Sequence, residues 1–370
     1  MKTKTLAVPF IILLVILNLT AQDTSRTNEN SAAIKSLYDL ISDVTISGQW
    51  FFGYQNRRID GVEENEFLLK RGYLTIEKKF SNSVSGRITQ DISVDHEGDG
   101  EGDVEIRLKY GYVRYKFGDI SFFHNSYVEF GLVHRPWIDF EQKVNHYRVQ
   151  GTMYLDRNNV LSSADYGVTI TTLFGGEINK EYKAKVSSAY PGKYGSATFG
   201  VYNGGGYHAI ENNNNKIFEG RISIRPFPAY CPGLQVSYVN LFGKGNVESS
   251  PDFKLNMFGL SYESTFTNIM ASFMNGKGNQ SGKLVDDLGK SYGTSGYSLF
   301  AEVKIFGPFA VIGRYDFLEY SDFERKNYIS GIAYKFLGGN KILLDYDLAQ
   351  TNENNYKDDF IAELAVELEF

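Results

Sequence analysis

The sequence predicts an all-β fold: a closed, transmembrane, antiparallel β-barrel of about 16 strands, with 18 as the alternative count. Three observations predict it. Alternate residues are apolar along most segments, short and long connections take turns between them, and the chain ends on an amphipathic ribbon closed by an aromatic residue.

The chain opens with a leader. Residues 1–21 place Lys2 and Lys4 ahead of the apolar run Leu6 to Leu17, with Ala21 before the expected cut. That is a secretory signal peptide, because the run is too short to span a bilayer as a helix. Residues 22–43 read as a short periplasmic segment with weak amphipathic character at Ala32–Ile41, and the barrel domain takes residues 44–370.

From Val44 onward the pattern is strand and connection, repeated. Strands are expected near 44–56, 65–80, 83–95, 103–117, 122–133, 164–174, 195–204, 216–226, 233–242, 252–263, 267–275, 296–306, 309–319, 327–336, 340–350 and 359–370. Ile46, Trp50, Phe52 and Tyr54 share one face, and Val104, Ile106, Leu108, Tyr110 and Tyr112 oppose Glu105, Arg107 and Lys109. Val311, Tyr315 and Phe317 oppose Arg314 and Asp316, while Ile342, Leu344, Tyr346 and Leu348 oppose Asp345 and Asp347. A strand of period two has one face for lipid and one for water, as a barrel wall requires.

The connections agree. Those at Phe80–Ser83, Ser264–Phe266, Gly307–Pro308 and Leu337–Gly339 are short. Those at Arg57–Asn65, His96–Gly102, Gly205–Asn215, Gly276–Ser295 and Thr351–Asp358 are longer and polar. Short turns on one rim and long loops on the other set both termini on the periplasmic side and require an even strand count. Gly175 to Tyr194 breaks the rule: it falls where a short turn belongs, so it holds a small helix or the count changes by two.

In the final segment Phe360, Ala362, Leu364, Val366, Leu368 and Phe370 form one face, and Glu363, Ala365, Glu367 and Glu369 lie on the other. A soluble sheet would have to hide one face of every strand. Closure in a membrane satisfies both faces and removes the edges.

Composition excludes several functions. Losing Lys2 and Lys4 lowers the 38 basic residues to 36 against 44 acidic ones, a net charge of about −8, so no nucleic-acid partner is expected. The mean hydropathy of −0.29 is too polar for a helical membrane protein, yet a barrel escapes that test because only alternate residues face lipid. The 26 Tyr and 27 Phe suit twisted β structure. Cys231, the single cysteine, sits in a proline-flanked turn and forms no internal disulfide. None of the five histidines belongs to a catalytic or metal motif, so neither enzyme activity nor a cofactor is expected. The acidic loop Asp95–Asp103 lacks the spacing of a calcium-binding loop and reads as hydrated.

Several motifs resemble the phosphate-selective porin O and P family. They are Phe67–Leu74 followed by Val84–Asp91, Glu129–Pro136, Ala164–Val168, Gly200–Gly204 and Gly220–Pro226, in the family's order over roughly residues 44–370. The resemblance implies a 16-stranded trimeric channel that passes small solutes by diffusion. The family's arginine ladder and lysine cluster match no positions here one by one.

In porins the third outside loop folds into the barrel and narrows it. Here that loop is His134–Ser163, which carries Asp139, Glu141, Lys143 and Arg148. The inward positions of the strands before it include Arg71, Arg87, Arg107 and Lys109. Loop carboxylates facing a basic wall would set a transverse field across a constriction. Inward acids such as Asp91, Glu105, Glu302, Asp345, Asp347, Glu363 and Glu367 argue against strong anion preference.

The expected function is passive diffusion of small hydrophilic solutes or ions through the outer membrane of a Gram-negative cell, phosphate or other anions among the candidates. The expected partners are outer-membrane lipid and two further copies of the chain. The rival expectation is a plugged barrel serving as an adhesin, secretion component or enzyme scaffold.

Overall fold

The computed structural model describes residues 42–95, 100–352 and 358–370. The leader, most of the segment before Val44, and the centres of the loops at His96–Gly102 and Thr351–Asp358 lie outside the described residues.

The alternating pattern folds into sixteen strands: β1 Val44–Ile59, β2 Val62–Lys79, β3 Val84–Val94, β4 Val104–Lys116, β5 Phe123–His134, β6 Ala164–Phe174, β7 Gly195–Tyr202 and β8 Ile217–Ile224. The second half comprises β9 Leu234–Lys244, β10 Asp252–Glu263, β11 Thr267–Lys277, β12 Gly293–Lys304, β13 Phe309–Tyr320, β14 Phe323–Lys335, β15 Lys341–Thr351 and β16 Asp359–Glu369. Each strand pairs antiparallel with its chain neighbour, and β16 returns to β1, with Trp50 opposite Leu368 and Tyr54 opposite Leu364. Closure pairs the backbone groups around the ring, so none has to face hydrocarbon at a sheet edge.

The two faces follow the sequence. Leu344, Tyr346, Leu364 and Leu368 are exposed on the outside, while Asp345, Asp347, Glu363 and Glu367 are buried in the lumen. The closed sixteen-strand count is the one expected. The long connection after β6 holds a helix, α3 Lys180–Lys185, and no further strands.

Two expectations change. Arg57–Asn65 is not a loop: β1 and β2 run on and meet through Asp60 and Gly61, both at positive φ (51° and 80°). Two consecutive left-handed residues make the hairpin turn whose twist matches the strands, which is why Asp-Gly serves. The faces of β4 also switch midway. β3 pairs Thr89 with Tyr110 and Gln90 with Leu108, skipping Lys109, so a bulge there turns Tyr110 and Tyr112 into the lumen instead of toward lipid. A matching bulge on β2 skips Lys70 between Leu69 and Arg71. Each bulge thus delivers a lysine and its following residue to the inside together.

Candidate functional site

The connection between β5 and β6 enters the barrel. It carries α1 Pro136–Val144 and α2 Tyr154–Arg157. Pro136 suits the first helical position, where its fixed φ helps and its missing N–H costs nothing. The helix has no cap from its own chain neighbours. The wall supplies one: Glu219 of β8 accepts the Trp137 N–H at 3.0 Å and Arg135 Nε at 2.7 Å. Arg135 also meets Asp165 of β6 at 3.2 Å, and all three charged groups are fully buried.

The rest of the loop is bound along the acidic wall. Tyr147 donates to Glu302 at 2.8 Å and Tyr154 donates to the Phe317 carbonyl at 2.6 Å. Arg314 Nη1 reaches the Thr152 carbonyl at 2.8 Å, Lys70 Nζ reaches the Val149 carbonyl at 2.5 Å, and Arg157 pairs with Asp347. Lys70 also pairs with Glu363, and Lys341 with Glu367 at 2.7 Å. Glu302, Asp347, Glu363 and Glu367 therefore sit beneath the loop or against lysines.

The basic wall stays open. Its centre is Tyr73, whose hydroxyl oxygen accepts from Lys109 Nζ at 3.2 Å and from Arg148 Nη2 at 3.2 Å. Lys109 is 4% exposed, and its ammonium lies 4.7 Å from the Tyr73 ring centre and 5.2 Å from that of Tyr207. A cation on a ring face is held by the ring's quadrupole, which partly replaces lost water. Tyr110, brought inward by the bulge, stacks on His134 at 3.8 Å and takes Arg87 over its face at 5.4 Å. A cavity of about 370 Å³ opens between these groups, lined by Arg87, Lys109, Lys143, Arg148, Asp139 and Glu369 among others. Among the described residues, Lys109, Lys143 and Arg148 have no carboxylate within ion-pair distance.

The eight candidate residues divide accordingly. Arg87, Lys109, Asp139, Lys143 and Arg148 come together on that cavity. Arg71 pairs with Asp91 at 3.0 Å, and the Tyr207 hydroxyl donates to the other Asp91 oxygen at 3.2 Å, on the long-loop side of Lys109. Arg107 pairs with Glu105. Glu141 does not reach the basic wall. It is buried toward β13, accepts the Tyr154 N–H at 3.3 Å, and burial pushes its carboxyl up to about 7 despite Arg314 nearby. Asp139 accepts from Tyr190 at 2.5 Å and lies 3.8 Å from His134. Burial opposes its charge, but His134, Lys143 and the Tyr190 hydroxyl outweigh it and hold the carboxyl down at about 2. Of the two loop acids expected to face the basic wall, Asp139 lines its cavity and Glu141 does not, and the loop also brings Lys143 and Arg148 there.

Sequence reasoning missed Lys70, Tyr73, Tyr110, Tyr190 and Tyr207. A signal existed for the first three. Apolar parity changes between Leu69 and Leu74, and again between Leu108 and Val113, marking both bulges.

No family model and no curated protein matches this chain. Solved structures do. An anion-selective porin from Comamonas acidovorans is 13% identical with a TM-score of 0.61, covering 88% of this chain and 99% of that one. OmpF of Salmonella typhi, in complex with daunomycin, is 12% identical at 0.60, covering 88% and 97%. OmpT, an outer membrane protein of Vibrio cholerae in trimer form, is 10% identical at 0.56, covering 88% and 99%. The chain folds like an outer-membrane porin. At these identities the likeness carries the fold, and the resemblance to the O and P family rests on the motifs quoted above.

Proposed function

We propose that this chain is an outer-membrane porin, a passive diffusion channel for small hydrophilic solutes, whose constriction favours anions. The β5–β6 loop packs along Glu302 and Asp347 and brings Lys143 and Arg148 to the open wall at Lys109, where Asp139 and Glu369 are the carboxylates that share the cavity. That asymmetry carries the reading, because a solute responds to the charges that line its path, and buried pairs cancel. The sequence alone weighed all inward acids equally; the loop covers Glu302 and Asp347, and wall cations pair with Asp91, Glu105, Glu363 and Glu367.

The short-turn rim is assigned to the periplasm and the apolar outer face to lipid, with the leader directing export. A homotrimer is proposed from the porin fold, since OmpT is described in a trimer form. The reading involves no catalytic step and no cofactor.

Single-channel recording of the refolded full barrel in a planar bilayer, across a potassium chloride gradient, tests it. The expected result is a steady open conductance with a reversal potential of the sign set by chloride. A barrel that never conducts would favour the plugged alternative, and a cation-signed potential would remove the anion preference.

A further inference from the structure

Among the described residues, the connection between β6 and β7 is the longest at the end of the barrel where β1 starts and β16 finishes, and it is built to reach inside. Gly175 and Gly176, at φ of 67° and 81°, turn the chain away from the wall at Phe174. Ile178 N–H donates to the Pro191 carbonyl at 2.7 Å and Lys193 N–H to the Gly176 carbonyl at 2.9 Å, closing the segment into a strap. Asn179 caps α3 through the Tyr182 N–H at 2.7 Å. The Arg225 guanidinium lies over the Tyr182 ring at 5.3 Å, which fastens the strap beneath β8.

The strap's tip is Tyr190. Its φ is 43°, a conformation an L-residue adopts at a cost of order 1–3 kcal/mol unless its surroundings hold it. They do hold it. The ring lies 5.7 Å from Phe140 of α1 and 4.4 Å from the guanidinium of Arg221, which is itself fully buried and is held by Ser196, Thr198 and the Pro136 carbonyl. The hydroxyl then donates to Asp139 at 2.5 Å. Ser188, Ala189, Tyr190 and Pro191 form one side of a cavity of about 580 Å³, opposite Arg87, Arg114 and Lys116.

We infer that Tyr190 is a selectivity-determining residue: from the opposite end of the barrel to the β5–β6 loop it holds the Asp139 carboxylate outside ion-pair distance of Lys143 and Arg87, which that carboxylate would otherwise neutralise more fully. Asp139 lines both cavities, so a carboxylate freed there would face the path. A hydrogen bond to the charged oxygen both fixes its direction and disperses its charge. The constriction is therefore set by two segments, one from each end of the barrel. The inference rests on the channel reading but not on the sign of its selectivity.

The test is Tyr190→Phe, which keeps the ring against Phe140 and Arg221 and removes only the hydroxyl. In a potassium chloride gradient, the chloride-to-potassium permeability ratio should fall by about two-fold while the conductance changes little. In an Asp139→Asn background the same substitution should leave the ratio unchanged, as a double-mutant cycle requires of two coupled groups. A Tyr190→Phe channel with the wild-type ratio would overturn the inference and leave the anion reading intact. A wild type without anion preference whose ratio still falls on Tyr190→Phe would do the reverse. A barrel that never conducts would overturn both.

Discussion

Phe370 seals the barrel against Gly48. The two residues exchange backbone hydrogen bonds, Gly48 N–H to the Phe370 carbonyl at 3.0 Å and Phe370 N–H to the Gly48 carbonyl at 3.1 Å. The tip of the Phe370 ring then occupies the space a Cβ on Gly48 would need. Gly48→Ala should turn the ring off the wall and lower stability by less than about 1 kcal/mol, because the atoms displaced are the tip of an exposed side chain. Urea unfolding of the refolded barrel measures it. Phe370→Ala in the same background should cost less than the two single changes summed, because they remove one contact.

Arg135 holds the loop to the wall through two buried carboxylates. Replacing it by leucine leaves Glu219 and Asp165 buried without a counter-charge, a loss of about 3–5 kcal/mol by analogy with broken buried pairs. The loss should appear first in the loop, since β6 and β8 remain tied to their neighbours. Protease cleavage between Arg135 and Ser163 should speed up, and single-channel traces should become noisy, while the barrel still refolds. Unchanged cleavage would show that the loop is held elsewhere.

The architecture was legible because its signals are local. Period-two patterning located all sixteen strands, and the parity of connection lengths gave the closed topology. The lumen was less legible. Equal alternation makes Glu363 and Lys109 look alike, although one ends beneath the loop and the other beside open space. Which of them a solute meets depends on where residues 134–163 come to rest, and that is decided by Arg135, Glu219 and Arg314 across the barrel. The bulges at Lys70 and Lys109 were visible as changes of apolar parity, but the regular pattern on either side concealed them. The strap carrying Tyr190 showed only as a connection of unusual length.

Lys109 should matter more than Lys143 and Arg148, which likewise face the cavity without a carboxylate at ion-pair distance, because it is the most buried of the three. Lys109→Gln removes the charge while keeping an amide for Tyr73. The chloride-to-potassium ratio should fall by about two- to five-fold, and the ratio should become more sensitive to salt concentration, since a nearly dry charge is screened less than the exposed ones that remain. The reversal potential at low and high potassium chloride checks this. Equal falls for Lys109→Gln and Lys143→Gln would show that burial gives Lys109 no special weight.

Glu141 predicts a pH dependence whose sign is fixed by its burial. Its carboxyl is raised to about 7 in the folded loop and returns to the ordinary value near 4.5 when the loop is released. The folded form therefore holds more protons across that interval, so Glu141 is least costly below pH 4.5, and stability is lost as pH rises toward 7. Above 7 the loss is complete and constant. Hydrogen exchange of the α1 amides should accelerate between those limits beyond the intrinsic effect of pH. Glu141→Gln should flatten that excess and protect the helix best at pH 8, because a neutral amide avoids the burial of charge. If the excess persisted in Glu141→Gln, another group in the loop would be responsible.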